Sequence, residues 1–388
     1  MADARRSVAV LGATGSIGEQ TLEVVRLEPE RFELVAIAGG ERLERLAEIA
    51  KEFGVTRIGV RTDAHRARLA ALVDAAVEIV VGDAGLEALA GSADVVVNAV
   101  LGFAGLPVTL GALRAGKRLA LANKESLVAA APLVEAVRST PGAELWPVDS
   151  EHCAIHQCLA GVAAAPGHPG VRRLIITGSG GPFRDRDRAS LTRVTRAEAL
   201  AHPTWRMGEK ITVDSSTLMN KGLEVLEASA LFGVAIERID VVINPQSIVH
   251  SMVEFVDGSV LAQLSRPDMR LAIAYCLGAP ERLDHAFGAI DFSAGLTLSF
   301  EAPDRAAFPA LDLAYDAGRR GGAAPAWLNA ANEVAVEAFL AGRLDWVDIV
   351  PVVAAALDRC PAGPLTSLEE LRDHDATARA AATASLPG

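Results

Sequence analysis

The chain has 388 residues, enough for two or three domains that each bury a core. Its 37 basic and 49 acidic residues give a net charge of −12, which argues against nonspecific nucleic-acid binding. Hydrophobic residues make up 51%, yet no stretch reaches the roughly 18 consecutive apolar residues of a membrane span. The first apolar run is cut by glycines and is too short for a signal peptide, so we expect a cytoplasmic protein without nucleic-acid or membrane partners.

A nucleotide-binding pattern opens the chain. The segment SVAVLGATGSIGEQTLEVVRL predicts a short buried strand over 7–11, a glycine turn and an amphipathic helix. Gly12, Gly15 and Gly18 form a variant of the dinucleotide fingerprint, in which glycine lets the backbone approach a pyrophosphate at a helix N terminus. Because the glycines follow a strand and open a helix, their context is the one that this fingerprint requires.

The same pattern continues to about residue 150. Apolar segments such as FELVAIA, RIGV, VEIVV and DVVVNAV alternate with helical stretches, which predicts a parallel sheet covered on both faces, a Rossmann-like domain. The motif LANKES follows a later strand and would bring Asn123, Lys124 and Glu125 to the nucleotide crevice. The alternative for these three residues is ordinary capping of a helix.

The end of the second strand bears on cofactor choice. Gly39 and Gly40 are followed there by Glu41 and Arg42. An acid at this position favours NAD, whereas a basic residue can pair with the 2′-phosphate of NADP. The two charged side chains could equally belong to a solvated helix face, and the residues alone leave the choice open.

Two carboxylates follow the strand AELWPV in the motif WPVDSEHC. If the strand continued, Asp149 and Glu151 would point to the same face and raise each other's pKa. The simple interpretation is a solvated strand end, and the alternative is a shared cation with a third ligand from elsewhere. His152 is expected to be a hydrogen-bond partner rather than a metal ligand.

A third carboxylate is available in the segment around residue 220. A helix predicted over 217–231 brings Asn220, Lys221 and Glu224 to one face, either as a surface ion pair or as part of a site. Three oxygen ligands without cysteine would select Mg²⁺ or Mn²⁺ over zinc. Upstream, TGSGGPF places Ser179 in a glycine loop, which is either a phosphate nest or a simple turn.

The remaining segments carry structural predictions. HPTWRMGEK lacks periodicity and, with Trp205, suits a closing lid or an ordinary core contact. Two strands flank Asp257-Gly258 in a hairpin that would suit a dimer interface. From about residue 309 four helical stretches predict a bundle. The four cysteines show no C-x-x-C spacing and are expected to be reduced thiols.

Taken together, GATGSIG, LANKES, PVDSEHCAI, TGSGGPF, KITVDSSTLMNKGLEVLEA and DGSVLAQL resemble the 1-deoxy-D-xylulose 5-phosphate reductoisomerase family over nearly the whole chain. The resemblance implies an α/β protein with an NADPH-binding domain at 1–149, a catalytic and dimerisation domain at 150–278, a linker at 279–308 and a helical bundle at 309–388. It implies a homodimeric, cytoplasmic oxidoreductase of the non-mevalonate isoprenoid pathway. That enzyme rearranges 1-deoxy-D-xylulose 5-phosphate, a sugar phosphate, and reduces it with NADPH to 2-C-methyl-D-erythritol 4-phosphate, using Mg²⁺ or Mn²⁺.

The resemblance also implies roles for individual residues. The metal ligands would be Asp149, Glu151 and Glu224, with His152 beside the metal, and Trp205 would lie on the lid. Lys124, His152 and His202 would join the metal ligands as catalytic residues. The expected cofactor contacts are Thr14, Gly15, Ser16, Ile17, Gly39, Asn123, Glu125 and Gly208. The expected substrate contacts are Lys124, Ser150, Glu151, Ser179, His202, Ser215, Asn220, Lys221 and Glu224.

Other functions remain open at this point. GATGSIG also occurs in semialdehyde dehydrogenases, which need a nucleophilic cysteine, and Cys153 is the one near the expected site. A reductase acting on another sugar phosphate is a second alternative. A non-catalytic NAD(P) sensor is a third, but it has no need for three carboxylates. The chain departs from the family at Gly40 and Glu41, where a basic residue and asparagine are common, which bears on the preference for NADPH.

Overall fold

The computed structural model of the protein describes residues 5–160, 168, 170–205 and 207–387. Within these ranges the strands are Arg6–Leu11 (β1), Phe32–Ala38 (β2), Arg57–Val60 (β3), Glu78–Val81 (β4), Val95–Asn98 (β5), Arg118–Leu121 (β6), Glu144–Pro147 (β7), Val171–Gly178 (β8), Ile239–Ile243 (β9), Val249–Phe255 (β10) and Val260–Leu264 (β11).

The α-helices are Ser16–Leu27 (α1), Leu43–Phe53 (α2), Asp63–Ala70 (α3), Gly82–Ala90 (α4), Leu106–Arg114 (α5), Lys124–Arg138 (α6), Ser150–Leu159 (α7), Arg196–Ala199 (α8), Glu209–Ser216 (α9), Met219–Phe232 (α10), Met269–Gly278 (α11), Ala310–Arg320 (α12), Ala324–Leu340 (α13), Ile349–Leu357 (α14) and Leu368–Ala384 (α15). Among the described residues, no helix combines the length and the apolar character that crossing a bilayer requires.

The chain divides into two compact units. The first consists of Met1–Ser126, Val134–Cys153 and Asp268–Phe287, and the second of Leu127–Leu133, Ala154–Pro267 and Gly288–Gly388. The domains implied by the family resemblance are defined by function, whereas these two units are defined by packing. The domain boundaries at 149, 278 and 308 therefore stay a prediction.

The first unit is built on a seven-stranded parallel sheet with the order β4-β3-β2-β1-β5-β6-β7. Alternating buried strands and amphipathic helices produce this doubly wound arrangement, which confirms the predicted Rossmann-like fold. The order reverses between β1 and β5, and the carboxyl ends of the strands at such a switch point form the usual ligand crevice.

The helix α11 packs with this first unit although it follows β11 in the chain. Ile273 and Leu277 are fully buried in the same apolar cluster as Val8 and Val10 of β1. Arg6 at the start of β1 donates a hydrogen bond of 2.6 Å to the carbonyl of Leu277. Apolar burial therefore associates α11 with the nucleotide-binding sheet.

The second unit combines a four-stranded sheet, order β11-β10-β8-β9, with the C-terminal helices. β10 is antiparallel to β8 and β11, whereas β8 and β9 are parallel. The hairpin predicted at Asp257-Gly258 joins β10 and β11 and is confirmed. The four C-terminal helical stretches are also confirmed, and Gly222 lets α10 approach α12 closely, since a Cβ there would lie 2.5 Å from Ala314. The central α/β part and the helical bundle thus agree with the predicted fold class.

Candidate active site

The glycine turn after β1 is shaped by close backbone contacts. Gly12 has a φ of +96°, a left-handed conformation that favours glycine. A Cβ on Gly18 would lie 2.3 Å from the carbonyl oxygen of Gly12, so the turn accepts no side chain there. Gly15 occupies the N-cap of α1 without a side-chain cap, and Thr14, Ser16 and Ile17 lie beside it. The N-terminal N–H groups of α1 are therefore available to an anionic group.

A further residue predicted to contact the cofactor, Gly39, lies at the end of β2 in the first unit. Gly39 follows β2, and the Oγ1 atom of Thr14 lies 3.5 Å from the position of a Cβ on Gly39. Glu41 and Arg42 are both exposed, and Glu41 lies 3.7 Å from the Nε2 atom of His65. These contacts do not distinguish NADPH from NADH, so the preference between the two cofactors stays a prediction.

Asn123 organises the loop after β6. Its side chain accepts a hydrogen bond from the N–H of Ser126, which caps α6, and donates to the carbonyls of Val100 (2.7 Å) and Gly102 (2.8 Å). The same amide lies 3.2 Å from a carboxylate oxygen of Glu125. The capping interpretation is therefore correct for Asn123. Its bonds to the loop after β5 also tie together two strand ends of the nucleotide crevice.

The acidic motif departs from the arrangement expected for a continued strand. β7 ends at Pro147, and α7 begins at Ser150, so Asp149 and Glu151 do not lie side by side on a strand. Asp149 instead occupies the turn before the helix, where its Oδ1 atom accepts from the N–H of Glu151 at 3.2 Å. The expectation was wrong because free N–H groups of a helix start attract a carboxylate.

Asp149 is the centre of a buried ionic cluster in the first unit. Lys124 Nζ lies 2.7 Å from one carboxylate oxygen, and His152 Nδ1 lies 3.3 Å from the other. Burial alone would raise the pKa of Asp149, but the Lys124 ammonium and the His152 contact hold that pKa well below its usual range. Ser150 donates to Glu151 at 2.5 Å. The motif therefore presents an ionised carboxylate next to a second one.

The loop after β8, in the second unit, presents Ser179. Its Oγ atom accepts a hydrogen bond from the N–H of Gly181 at 3.2 Å, and His202 Nε2 lies 3.2 Å away. His202 Nδ1 accepts from the N–H groups of Thr204 (3.1 Å) and Trp205 (2.9 Å). In a neutral imidazole the proton is then on Nε2, which donates to Ser179. With two bonds accepted, the Ser179 hydroxyl is oriented to donate to an acceptor such as phosphate.

The predicted lid segment lies between His202 and α9. Trp205 is partly buried, with its ring centroid 6.3 Å from that of His250. Gly208 is the N-cap of α9, and no atom lies within 4 Å of the position that a Cβ would take there. Arg206 lies outside the described residues.

The helix α10 carries the polar face predicted from the sequence. Lys221 Nζ lies 2.5 Å from Glu224, and the Asn220 amide donates to the other oxygen of Glu224 at 2.5 Å. All three side chains are buried, which rules out a surface ion pair. Lys221 also donates to the carbonyl of Thr177 at 2.9 Å. These contacts hold the Lys221 ammonium and the Glu224 carboxylate in a fixed geometry on the helix.

Each unit thus assembles part of the predicted set. Lys124, Asp149, Ser150, Glu151 and His152 form one group, and α10 and the Ser179 loop form another. Sequence reasoning did not single out Gly178, where a Cβ would lie 3.0 Å from the Lys221 side chain. A glycine as the last residue of an apolar strand was the available signal.

The cysteines do not suit nucleophilic catalysis. All four are free thiols, as predicted, and Cys153, Cys158 and Cys276 are buried. Burial raises the pKa of Cys158 to about 11 and that of Cys276 well above its usual range. Cys153 is 1% exposed on α7. A semialdehyde dehydrogenase, which needs an accessible thiolate, is therefore disfavoured.

The doubly wound sheet and the glycine turn at the start of α1 define a protein of the Rossmann-type nucleotide-binding class. Three family profiles match the chain: 1-deoxy-D-xylulose 5-phosphate reductoisomerase over residues 8–131, its C-terminal domain over 145–232, and the DXP reductoisomerase C-terminal domain over 264–381. The chain belongs to the 1-deoxy-D-xylulose 5-phosphate reductoisomerase family.

Individual relatives agree with this assignment. The 1-deoxy-D-xylulose 5-phosphate reductoisomerase of Xanthomonas oryzae pv. oryzae (strain PXO99A) is 50% identical over 399 residues, covering 96% of this chain and 95% of the relative. That of Cupriavidus taiwanensis is 51% identical over 385 residues, covering 98% of both chains.

Solved structures of the family agree as well. A DOX-P reductoisomerase in complex with NADPH, fosmidomycin and magnesium is 42% identical, with a TM-score of 0.93 over 98% of both chains. The Zymomonas mobilis enzyme in complex with NADPH is 42% identical, with a TM-score of 0.90 over 98% of both chains.

Proposed function

We propose that the chain catalyses the metal-dependent rearrangement of 1-deoxy-D-xylulose 5-phosphate and its NADPH-dependent reduction to 2-C-methyl-D-erythritol 4-phosphate. The observation that carries this proposal is the near-full-length identity of 50% and 51% to reductoisomerases of two genera. The enzyme is an oxidoreductase that also isomerises the carbon skeleton of a sugar phosphate, and it serves the non-mevalonate isoprenoid pathway.

Asp149, Glu151 and Glu224 are the proposed ligands of Mg²⁺ or Mn²⁺. Carboxylate oxygens are the ligands that these hard cations prefer. Burial would raise the pKa of Asp149, but Lys124 and His152 lower it by more. The proposed ligand is therefore ionised at neutral pH. The bound metal would polarise the ketone and a neighbouring hydroxyl of the substrate. His152, bonded to Asp149, would hold the carboxylate in its orientation.

NADPH is the proposed reductant, and it would supply the hydride. Support comes from the turn after β1, which accepts no side chain at Gly18 and leaves the start of α1 uncapped. Thr14, Gly15, Ser16 and Ile17 would contact the pyrophosphate, and Asn123, whose side chain links two strand ends, would shape the crevice. Gly39, Glu125 and Gly208 are the remaining proposed contacts.

The substrate phosphate is proposed to bind in the second unit. The Ser179 hydroxyl, oriented to donate, and the Lys221 ammonium have the chemistry that an anion requires. His202 donates to Ser179 and thereby orients it. Ser215 and Asn220 complete the proposed phosphate contacts. Lys124 and Ser150 are proposed to contact the substrate hydroxyls, and closure of the segment around Trp205 would exclude water from the reaction.

A cytoplasmic homodimer is the proposed form of the enzyme. Val260 and Leu261 on the edge strand β11 are about half exposed, at 48% and 49%, and an apolar edge of this kind suits pairing with a second copy. The free thiols suit a reducing compartment.

The test follows NADPH oxidation with 1-deoxy-D-xylulose 5-phosphate, with Mg²⁺ or Mn²⁺ and then with a chelator. We expect turnover only when sugar phosphate and metal are both present. 1-Deoxy-D-xylulose, which lacks the phosphate, is the matched control and should react poorly because it loses the remote binding energy. Oxidation that persists in chelator, or no oxidation by a folded protein that binds NADPH, would contradict the proposal.

A further inference from the structure

The last turn of α9 carries three buried polar residues in a row, Asp214, Ser215 and Ser216. Ser215 is one of the proposed phosphate contacts. Its two neighbours bond to the C-terminal helices instead. The Asn332 amide on α13 donates to Asp214 at 2.7 Å, and Trp346, which precedes α14, donates from Nε1 to the Ser216 hydroxyl at 2.8 Å.

These two bonds are well placed to fix the turn. Asp214 is 1% exposed and also lies 3.2 Å from Lys210 Nζ, so its carboxylate is held in a buried, charge-assisted network. The Trp346 ring packs edge-on against Phe183 at 5.4 Å and Phe308 at 6.3 Å. A donor whose ring is confined in this way restrains the acceptor that it bonds.

The glycine loop meets the same turn through its backbone. Gly181 has a φ of +71°, and a Cβ there would lie 2.6 Å from the carbonyl oxygen of Ser215. The N–H of Gly181 in turn bonds the Ser179 hydroxyl. A shift of the Ser215 backbone would therefore also disturb Ser179, a second proposed phosphate contact.

We propose that Asn332 and Trp346 are positioning residues for substrate phosphate, acting through Asp214 and Ser216 on the hydroxyl of Ser215. The C-terminal bundle then does more than pack against the catalytic part, because it sets the geometry of the proposed phosphate contacts. This inference rests on the proposed function, in which Ser215 contacts the phosphate.

The test compares two asparagines of α13 that are both fully buried, Asn332 and Asn329. Asn329 bonds Glu333 of its own helix at 3.2 Å, so Asn329→Ala removes a similar volume and leaves the bond from Asn332 to Asp214 in place. For Asn332→Ala we expect KM for the sugar phosphate, and the inhibition constant of inorganic phosphate, to rise about ten-fold. KM for NADPH should stay unchanged, as should all three constants in Asn329→Ala. Equal effects of the two substitutions would reduce Asn332 to a structural role and overturn the inference.

A double-mutant cycle connects the effect to Ser215. Ser215→Ala should raise KM for the sugar phosphate by itself. Adding Asn332→Ala should then raise that KM by a further factor of about two or less, because the hydroxyl that Asn332 positions is gone. Additive effects would overturn the inference. A normal KM in Ser215→Ala would remove Ser215 from the phosphate contacts and overturn the inference as well. No wild-type turnover would instead remove the proposed function on which the inference rests.

Trp346→Phe provides a second, milder variant should Asn332→Ala fail to fold. It keeps an aromatic ring at this position and removes the N–H donor to Ser216, together with part of the volume of the indole. We expect KM for the sugar phosphate to rise about three-fold without a change in KM for NADPH. An unchanged KM in this variant would remove Trp346 from the positioning set.

Discussion

Asp149 and Glu224 are both largely buried carboxylates paired with a lysine, but the two pairs are assembled differently. Lys221 and Glu224 lie three residues apart on α10, at 2.5 Å, and Asn220 completes the set within the same helix. Lys124 and Asp149 lie at the ends of the neighbouring parallel strands β6 and β7, at 2.7 Å. The local set needs only a helix to form, whereas the long-range pair depends on the register of a sheet. The predictions below test this difference.

The largest effect is expected for the local set. Glu224→Gln keeps an oxygen that can accept from Asn220, so α10 should fold, but it removes the charge of a proposed metal ligand. We expect turnover to fall by about three orders of magnitude and Mn²⁺ affinity to fall with it. Steady-state NADPH oxidation and Mn²⁺ titration are the measurements. Glu237→Gln, at a largely exposed position, is the control. Full turnover with tight metal retention would remove Glu224 from the ligand set.

The long-range pair should matter more for stability. Lys124→Met leaves the Asp149 carboxylate buried without its main cation, which costs about 3–5 kcal/mol for a broken buried pair. Urea unfolding of the metal-free protein at pH 7 measures this loss. Lys51→Met, at an exposed lysine of α2, should be close to wild type. Stability equal to wild type in Lys124→Met would show that the ion pair does not support the sheet.

The same variant predicts a change in pH dependence. The folded-state pKa of Asp149 lies well below its unfolded value, so its carboxylate contributes stability above about pH 4 that is lost as the pH falls further. Without Lys124, burial should raise that pKa, and protonation would relieve the cost of the buried charge. The difference in unfolding free energy between wild type and Lys124→Met should therefore become smaller as the pH falls from 7 to 5. A deficit that is constant over this range would contradict the assigned cause.

The turn after β1 provides a smaller, local test in the first unit. Gly18→Ala places a Cβ against two backbone carbonyls of the turn, at 2.3 and 2.5 Å, so the turn must shift. We expect the Kd for NADPH, measured by fluorescence titration, to rise about ten-fold. Gly170→Ala is the control, because a Cβ there meets nothing within 4 Å. Unchanged NADPH binding in Gly18→Ala would place the cofactor away from this turn.

The smallest effect is expected from thiol alkylation. Cys360 is the one partly exposed cysteine and should react first, whereas burial and a pKa of about 11 protect Cys158. NADPH oxidation should be unchanged after labelling, as read by mass spectrometry and activity on the same sample. Loss of activity in step with modification of Cys153 would revive the dehydrogenase alternative.

Much of the molecule was predictable where neighbours in sequence are also neighbours in space. The segments FELVAIA and RIGV match β2 and β3 residue for residue. Apolar strands that alternate with helices along the chain pack in few arrangements other than a parallel sheet covered by helices. The face of α10 follows from helical spacing alone, and its helix begins two residues after the predicted start. The Asp257-Gly258 hairpin likewise follows from local turn chemistry.

Other features depended on contacts that spacing does not encode. Asp149 and Glu151 would share one face if the strand continued, but the chain leaves the sheet at Pro147 and the Asp149 carboxylate caps the next helix. The burial of Lys221 under Gly178 brings residues together across more than forty positions, and no periodicity predicts it.

The sequence by itself determined the fold class, the nucleotide-binding turn and the family, because these depend on short motifs and apolar periods. Only the tertiary structure decided which groups are charged partners: Lys124 with Asp149, and Asn332 with Asp214 across 118 positions. The physical reason is that a buried charge or amide must find its partner wherever the packed chain brings one within hydrogen-bond distance, and that distance is set by the fold as a whole.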